Sequence, residues 1–205
     1  DISSINETTH SISLSSADAI FYSKDNSTDG FGETVVGLGD INGDLYGDFA
    51  IGAPKTNTDT NSSDAPEGTV YIYYGGPGKP YTTKIPSTSY SAKITAPSDS
   101  VSMGLFSIRP AGDINGDLLQ DFIIGEAAYQ HNTGRAFVFF GTNQKLSGTI
   151  PAQNADIIIN GAAENSKTGY IVSSAGDINE DGIDEFCISS PHYNNLSGLI
   201  SIFSL

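Results

Sequence analysis

The sequence predicts an all-β protein made of three copies of one four-stranded unit. Two observations carry that prediction: an acidic nine-residue loop that occurs three times, and a dense apolar run that closes the stretch behind each loop. The loops read Asp40-Ile-Asn-Gly-Asp44-Leu-Tyr-Gly-Asp48, Asp113-Ile-Asn-Gly-Asp117-Leu-Leu-Gln-Asp121 and Asp177-Ile-Asn-Glu-Asp181-Gly-Ile-Asp-Glu185. The closing runs are Gly68-Thr-Val-Tyr-Ile-Tyr-Tyr-Gly75, Gly134-Arg-Ala-Phe-Val-Phe-Phe-Gly141 and Gly198-Leu-Ile-Ser-Ile-Phe-Ser-Leu205. A repeat on this scale is read before any single element, because each unit buries its core against its neighbours.

Taken in chain order, each unit opens on a short strand: Asp18-Ala-Ile-Phe-Tyr22, Ala92-Lys-Ile-Thr95 and Asp156-Ile-Ile-Ile159. A second strand runs into the loop, as at Thr34 to Leu38 and Ile171 to Ser174. A third leaves it at once, as Phe49-Ala-Ile51-Gly-Ala-Pro54 and Phe122-Ile-Ile124-Gly, aromatic and β-branched and ended by Gly or Pro. The closing run is the fourth. In the first two copies it is apolar at successive positions, which implies burial on both faces. From loop start to the Gly of the closing run is 21 residues in copies two and three (Asp113 to Gly134, Asp177 to Gly198) and 28 in copy one (Asp40 to Gly68). The extra residues of copy one therefore fall in the polar stretch Lys55 to Glu67. Four antiparallel strands at this interval are the sequence form of β-propeller blades. The blades are expected at approximately 18–75, 90–141 and 155–205, with 1–17 as an N-terminal extension or edge strand.

Positions 1, 3, 5 and 9 of each loop present three carboxylates and one amide oxygen. That is a ligand set for a hard cation, and Ca²⁺, which takes six to eight oxygens in flexible geometry, is the expected ion. Asp, Asn and Gly also cluster in plain turns, where Asx side chains bond their own backbone. Three copies with one spacing, each backed by a strand, favour the metal. An EF-hand is excluded, since it needs a bidentate Glu at position 12 and flanking helices, and position 12 is Ile51, Ile124 and Ile188. Three Ca²⁺ sites are expected. The first uses the side chains of Asp40, Asn42, Asp44 and Asp48 with the carbonyl of Tyr46; the second Asp113, Asn115, Asp117 and Asp121 with the carbonyl of Leu119. The third uses Asp177, Asn179, Asp181 and Glu185 with the carbonyl of Ile183. It departs from the pattern in its Glu at position 9 and its extra Asp184.

Phe31-Gly32, then the acidic loop, then Ile51-Gly-Ala-Pro54 resembles the FG-GAP repeat, the blade unit of the integrin α-subunit propeller. Later copies are worn: Met103-Gly104 and Thr168-Gly169 stand for Phe-Gly, and Gly125-Glu-Ala127 and Ser189-Ser-Pro191 for Gly-Ala-Pro. The resemblance covers Asp18 to Leu205. It implies a propeller in which Ca²⁺ braces the blades structurally, while partners bind on a separate loop face. Function sits in sites grafted on such a fold. The variable loop set is the Lys55–Glu67 insertion with Tyr129-Gln-His131 and His192-Tyr-Asn194, and variable loops on a rigid scaffold are where binding is carried.

The chain has 205 residues, 38% of them hydrophobic, enough for a substantial core. A formal charge of −15, from 24 acids against 9 bases, excludes nucleic acid or an anionic membrane as the main partner. Eleven of those acids lie in the three loops, nine of them at positions 1, 5 and 9. One Cys and no Trp leave no disulfide framework, and Cys187, aligned with Ala50 and Ile123, reads as a small buried residue. No stretch is long and apolar enough to span a bilayer, and Asp1 in place of Met suggests a trimmed start. Modest Ca²⁺ sites fill outside the cell, at roughly 10⁻⁴ to 10⁻³ M, so an extracellular, secreted or cell-surface location is expected; the sequons at Asn6, Asn26, Asn61 and Asn195 are compatible with it. No nucleophile motif is present, and His10, His131 and His192 are isolated in sequence, so no enzyme is expected. The leading reading is an extracellular adhesion module with a protein or glycan ligand; the alternative is a noncatalytic segment of a larger secreted enzyme. Fewer than about four blades do not close a propeller. Self-association, or further repeats in a parent chain, is therefore expected.

Overall fold

The computed structural model describes residues 13–24, 29–55, 68–77, 84–97, 99, 103 and 107–205. Its strands are β1 (Ile20–Tyr22), β2 (Thr34–Gly39), β3 (Asp48–Ala53), β4 (Thr69–Tyr73), β5 (Lys84–Pro86), β6 (Ala92–Thr95), β7 (Ile108–Gly112), β8 (Asp121–Glu126), β9 (Arg135–Phe139), β10 (Gly148–Pro151), β11 (Ile157–Asn160), β12 (Val172–Gly176), β13 (Glu185–Ser190) and β14 (Leu199–Phe203). Each acidic loop joins the first two strands of an antiparallel meander: β2-β3-β4, β7-β8-β9 and β12-β13-β14. The all-β, blade-like architecture read from the repeat is present, and the sheets do not close into a ring. The insertion at 56–67, Gly104, His10 and the sequons at Asn6, Asn26 and Asn61 lie outside the described residues.

Sheet membership is offset by one strand from the sequence repeat. β6 pairs antiparallel with β4 (Val70 opposite Ile94), and β11 with β9 (Ala136 opposite Ile159). The strand that opens a unit in sequence thus completes the sheet of the unit before it. Periodicity announces a strand but not its partner. Among the described residues the third sheet accordingly has three strands, not four. β5 and β10, both ending in Ile-Pro, were not legible as strands; they pair parallel with β1 and β6. Each is followed by a single 3₁₀ turn, Ser87–Ser89 or Ala152–Asn154, that carries the chain back to the outer strand.

The core lies between the sheets. Leu38, Ile41, Val70 and Ile72 of the first meet Ile108, Phe122, Ile124 and Phe137 of the second. On the second sheet's other face Ile114, Ile123, Ala136 and Val138 meet Val172, Phe186 and Ile188 of the third. The central sheet is therefore covered twice, and β8 and β9 are buried at every position. A stacked aromatic pair recurs where the strand after the loop meets the closing strand: Phe49–Tyr73, Phe122–Phe139 and Phe186–Phe203, with ring centroids 5.1 Å apart in each. Burial on both faces holds for the first two closing strands but not for β14, which is mostly exposed. Cys187 is half-buried rather than buried like Ala50 and Ile123, because it points to that uncovered face.

Candidate metal loops

Each loop is shaped by its own acids. In the first, the Asp40 carboxylate accepts backbone N–H bonds from Gly43 at 2.7 Å and Asp44 at 3.1 Å on one oxygen, and from Leu45 at 2.7 Å on the other. Asn42 Oδ1 accepts from the Asp44 amide, and Asp44 Oδ1 from the Tyr46 amide. The second loop repeats the pattern: Asp113 accepts from Gly116, Asp117 and Leu118, Asn115 from Asp117, and Asp117 from Leu119. In the third, Asp177 accepts from Asp181 and Gly182, Asn179 from Asp181, and Asp181 from Ile183. Donation runs from positions 4 to 7 back to positions 1, 3 and 5, which curls the loop around its carboxylates. The curl demands left-handed backbone at positions 4 and 6. These are Gly43 and Leu45, Gly116 and Leu118, and Glu180 and Gly182.

Position 9 is different, being buried at the root of the following strand: Asp48, Asp121 and Glu185 are each 3% exposed or less. Asp121 accepts from the Ile114 amide at 2.9 Å and from the Gly141 amide at 2.7 Å. Asp48 does the same with Ile41 and Gly75. The acid thus ties the loop to the end of the closing strand. That approach requires glycine: a Cβ on Gly75 would stand 2.4 Å from the Gly47 carbonyl oxygen, and one on Gly141 2.6 Å from that of Gln120. Leu205 holds this place in the third repeat, where the longer Glu185 accepts from the Ile178 amide and the Asn179 side-chain amide.

Burial pushes Asp121 up to about 6; the carboxylates of Asp117 and Asp113 push the same way, against the two amide bonds. Asp48 is raised by burial in the same manner. Asp44 is held below the usual carboxylate range by Lys145, whose ammonium lies 2.8 Å away. That contact links the first loop to the second repeat, as do the Gln120 amide on the Asp40 carbonyl and the Thr142 amide on the Ile41 carbonyl. Asp184 serves the next junction: its carboxylate accepts from the Asp113 amide at 2.9 Å. The extra acid of the third loop is a tie between repeats.

All fifteen residues expected from the sequence lie in the three loops, with Tyr46, Leu119 and Ile183 each donating an amide to the acid at position 5. The structure engages the carboxylates with loop amides instead of gathering them: among the described residues no group of three or more His, Cys, Asp or Glu side chains stands ready to hold a metal ion. The donor chemistry nevertheless fits a hard cation. Every ligating atom on offer is an oxygen, and the buried acid meets amides and other acids where a cation would relieve it.

Two features lay outside the sequence reading. Glu126, which replaces Ala in the worn Gly-Ala-Pro motif, pairs with Arg135 across β8 and β9 at 2.6 Å. Both are buried, and the guanidinium also meets Asp99 at 3.0 Å and lies 3.5 Å from the Tyr129 ring centroid. The signal was a charge inside each of two apolar strands. The second is a pair of left-handed turns at equivalent places, with φ positive at Gln130, His131 and Asn132 and again at Asn194, Asn195 and Leu196. An open cleft in the third repeat is lined by Glu164, Asn165, His192, Asn194 and Asn195. His131 is exposed, 3.9 Å from Glu164.

No family model matches the chain. Among characterised proteins it is similar to Integrin alpha-5 of Xenopus laevis, 25% identical over 169 residues, and to Integrin alpha ina-1 of Caenorhabditis elegans, 26% identical over 168 residues. These matches cover 78% and 76% of the chain and 14% of each relative. A shorter match, 50% identical over 52 residues, is to Integrin alpha-PS2 of Drosophila melanogaster and covers 24% of the chain and 3% of that relative. The chain therefore spans a small part of the length of the proteins it resembles.

Proposed function

We propose that this integrin-α-like chain is a calcium-braced propeller segment of an extracellular adhesion or recognition protein. The observation that carries the reading is the loop itself: Asp, Asn, Asp and a final Asp or Glu at the same four positions, three times, with the last acid buried. Ca²⁺ held by positions 1, 3, 5 and 9 would neutralise carboxylates that otherwise repel one another, and so fasten the loop to the strand behind it. The ion is structural, and no step of chemistry is asked of it.

Ligand recognition is assigned to the opposite class of loops. The left-handed turns at 129–132 and 193–196 hold six non-glycine residues; three are Asn, which tolerates that backbone, while Gln130, His131 and Leu196 carry roughly 1–2 kcal/mol each, and such strain collects at binding sites. The cleft beside them offers a carboxylate, an imidazole and amides, a hydrogen-bonding surface suited to a polar protein or glycan ligand. No helix among the described residues is long and apolar enough to cross a membrane. Thermal unfolding in EGTA and in millimolar Ca²⁺ tests the brace: at a hundredfold excess over Kd each site adds roughly 2.7 kcal/mol. An unchanged midpoint would show that the loops are self-sufficient turns.

A further inference from the structure

One motif of the sequence serves neither the acidic loops nor the core: the sequon Asn195-Leu-Ser197, which alone of the four sequons lies wholly among the described residues. It falls in the turn Tyr193–Leu196 between β13 and β14. Asn195 has a φ of +57° there, and asparagine adopts this backbone more readily than any residue but glycine. Asn194, Asn195 and Leu196 are all exposed. Among the described residues no hydrogen bond engages the Asn195 side-chain amide. Ser197, whose hydroxyl completes the motif, is exposed in the same turn and donates to the Asn194 carbonyl at 2.8 Å.

The second repeat shows what becomes of this position when a further sheet packs beside it. Three residues before the glycine that precedes the closing strand, Gly198 or Gly134, stand Asn195 and His131, both with left-handed φ. The third repeat meets the earlier turn through its backbone: the Asn165 amide donates to the His131 carbonyl at 3.1 Å and the Lys167 amide to the Asn132 carbonyl at 2.7 Å. The His131 side chain nevertheless stays 85% exposed. A neighbouring repeat thus takes the carbonyl of this residue and leaves its side chain in solvent. The exposure of Asn195 follows from the shape of the turn, not from where the third repeat ends.

We propose that Asn195 is a modification site and carries an N-linked glycan. The site rests on the extracellular reading given above, because the transfer belongs to the secretory pathway. The side-chain amide nitrogen of Asn195 attacks the anomeric carbon of an oligosaccharide held on a polyprenyl diphosphate. The new C–N bond forms as the bond from sugar carbon to phosphate oxygen breaks, the nitrogen gives up one proton, and the polyprenyl diphosphate leaves. Asn194 and Asn165 are exposed on the same surface, but the residues two places beyond them are Leu196 and Lys167, which lack the hydroxyl that the motif needs. Modification of this surface is therefore confined to Asn195. Asn195 also lines the cleft with Glu164, Asn165 and His192, so its carbohydrate stands at the rim of the surface assigned to ligand recognition.

The test secretes the whole, unaltered chain from an animal cell behind a cleavable signal and releases its N-glycans enzymatically in heavy-oxygen water. Peptide mass mapping should then find a heavy aspartate at position 195 and unmodified asparagine at 194 and 165. Ser197→Ala should abolish the mark at 195, whereas Ser197→Thr, which keeps the hydroxyl, should retain it. Asn194→Gln, a change at the neighbouring left-handed residue, should retain it as well. A secreted chain, folded by its circular dichroism, with plain asparagine at 195 would overturn the site and leave the extracellular reading standing. Retention of the unaltered chain inside the cell would overturn both.

Discussion

At φ values of +68° and +70°, Leu45 and Leu118 sit in backbone that suits glycine, and their side chains are almost wholly exposed. Nothing in the packing offsets the strain, and the third loop shows the alternative, with Gly182 at the same position. Leu118→Gly should therefore raise stability by about 1 kcal/mol, read as a shift of the denaturant midpoint; a loss would show that the leucine makes contacts elsewhere. Asp121 gives a second prediction. Its folded-state value of about 6 lies above the ordinary carboxylate value, so the folded protein holds this proton more tightly than the unfolded chain. The group costs nothing below about pH 4. Its penalty grows as pH rises to about 6 and reaches at most about 3 kcal/mol beyond that. Metal-free protein should accordingly gain stability from this group between pH 7 and pH 5, and Asp121→Asn should flatten that part of the profile. An unaltered slope in the variant would contradict the assignment.

At the scale of elements, the second repeat carries the one buried ion pair among the described residues that spans two strands. Removing Glu126 takes from the buried Arg135 its partner across the strands and leaves it the more exposed Asp99, and Glu126→Ala should lower stability by about 3 kcal/mol. The first repeat shows the apolar and neutral solution at these places, Ala53 opposite Thr69. Glu126→Ala with Arg135→Thr should therefore recover most of the loss, as a double-mutant cycle by urea unfolding would show. A double variant as unstable as the single one would mean that the Tyr129 stacking and the Asp99 contact dominate. These strands also mark how far the sequence could be read. The apolar runs, the loops and their order were legible because each is a local pattern. The partner of β6 was not, since the same short strand fits either neighbouring sheet and only the 3₁₀ turn returning the chain to β4 decides. The worn Gly-Glu-Ala motif gave a hint of the buried pair, but nothing in the spacing named Arg135 as its partner.

At the scale of the whole molecule, the proposed function makes the three acidic loops cation sites that brace the three sheets. The loop geometry was legible because positions 1, 3 and 5 are fixed by local hydrogen bonds that Asx residues favour, whereas position 9 is buried at the root of the following strand. The same bonds explain why the sequence alone leaves turn and ligand entangled, and why the carboxylates in the structure lie against amides. Only the metal separates the two. The most direct measurement is the metal content of the protein after dialysis against calcium buffer, by atomic emission, with Asp40→Ala, Asp113→Ala and Asp177→Ala each expected to remove one ion. Three calcium ions per chain is the predicted result, and fewer than two would contradict the claim.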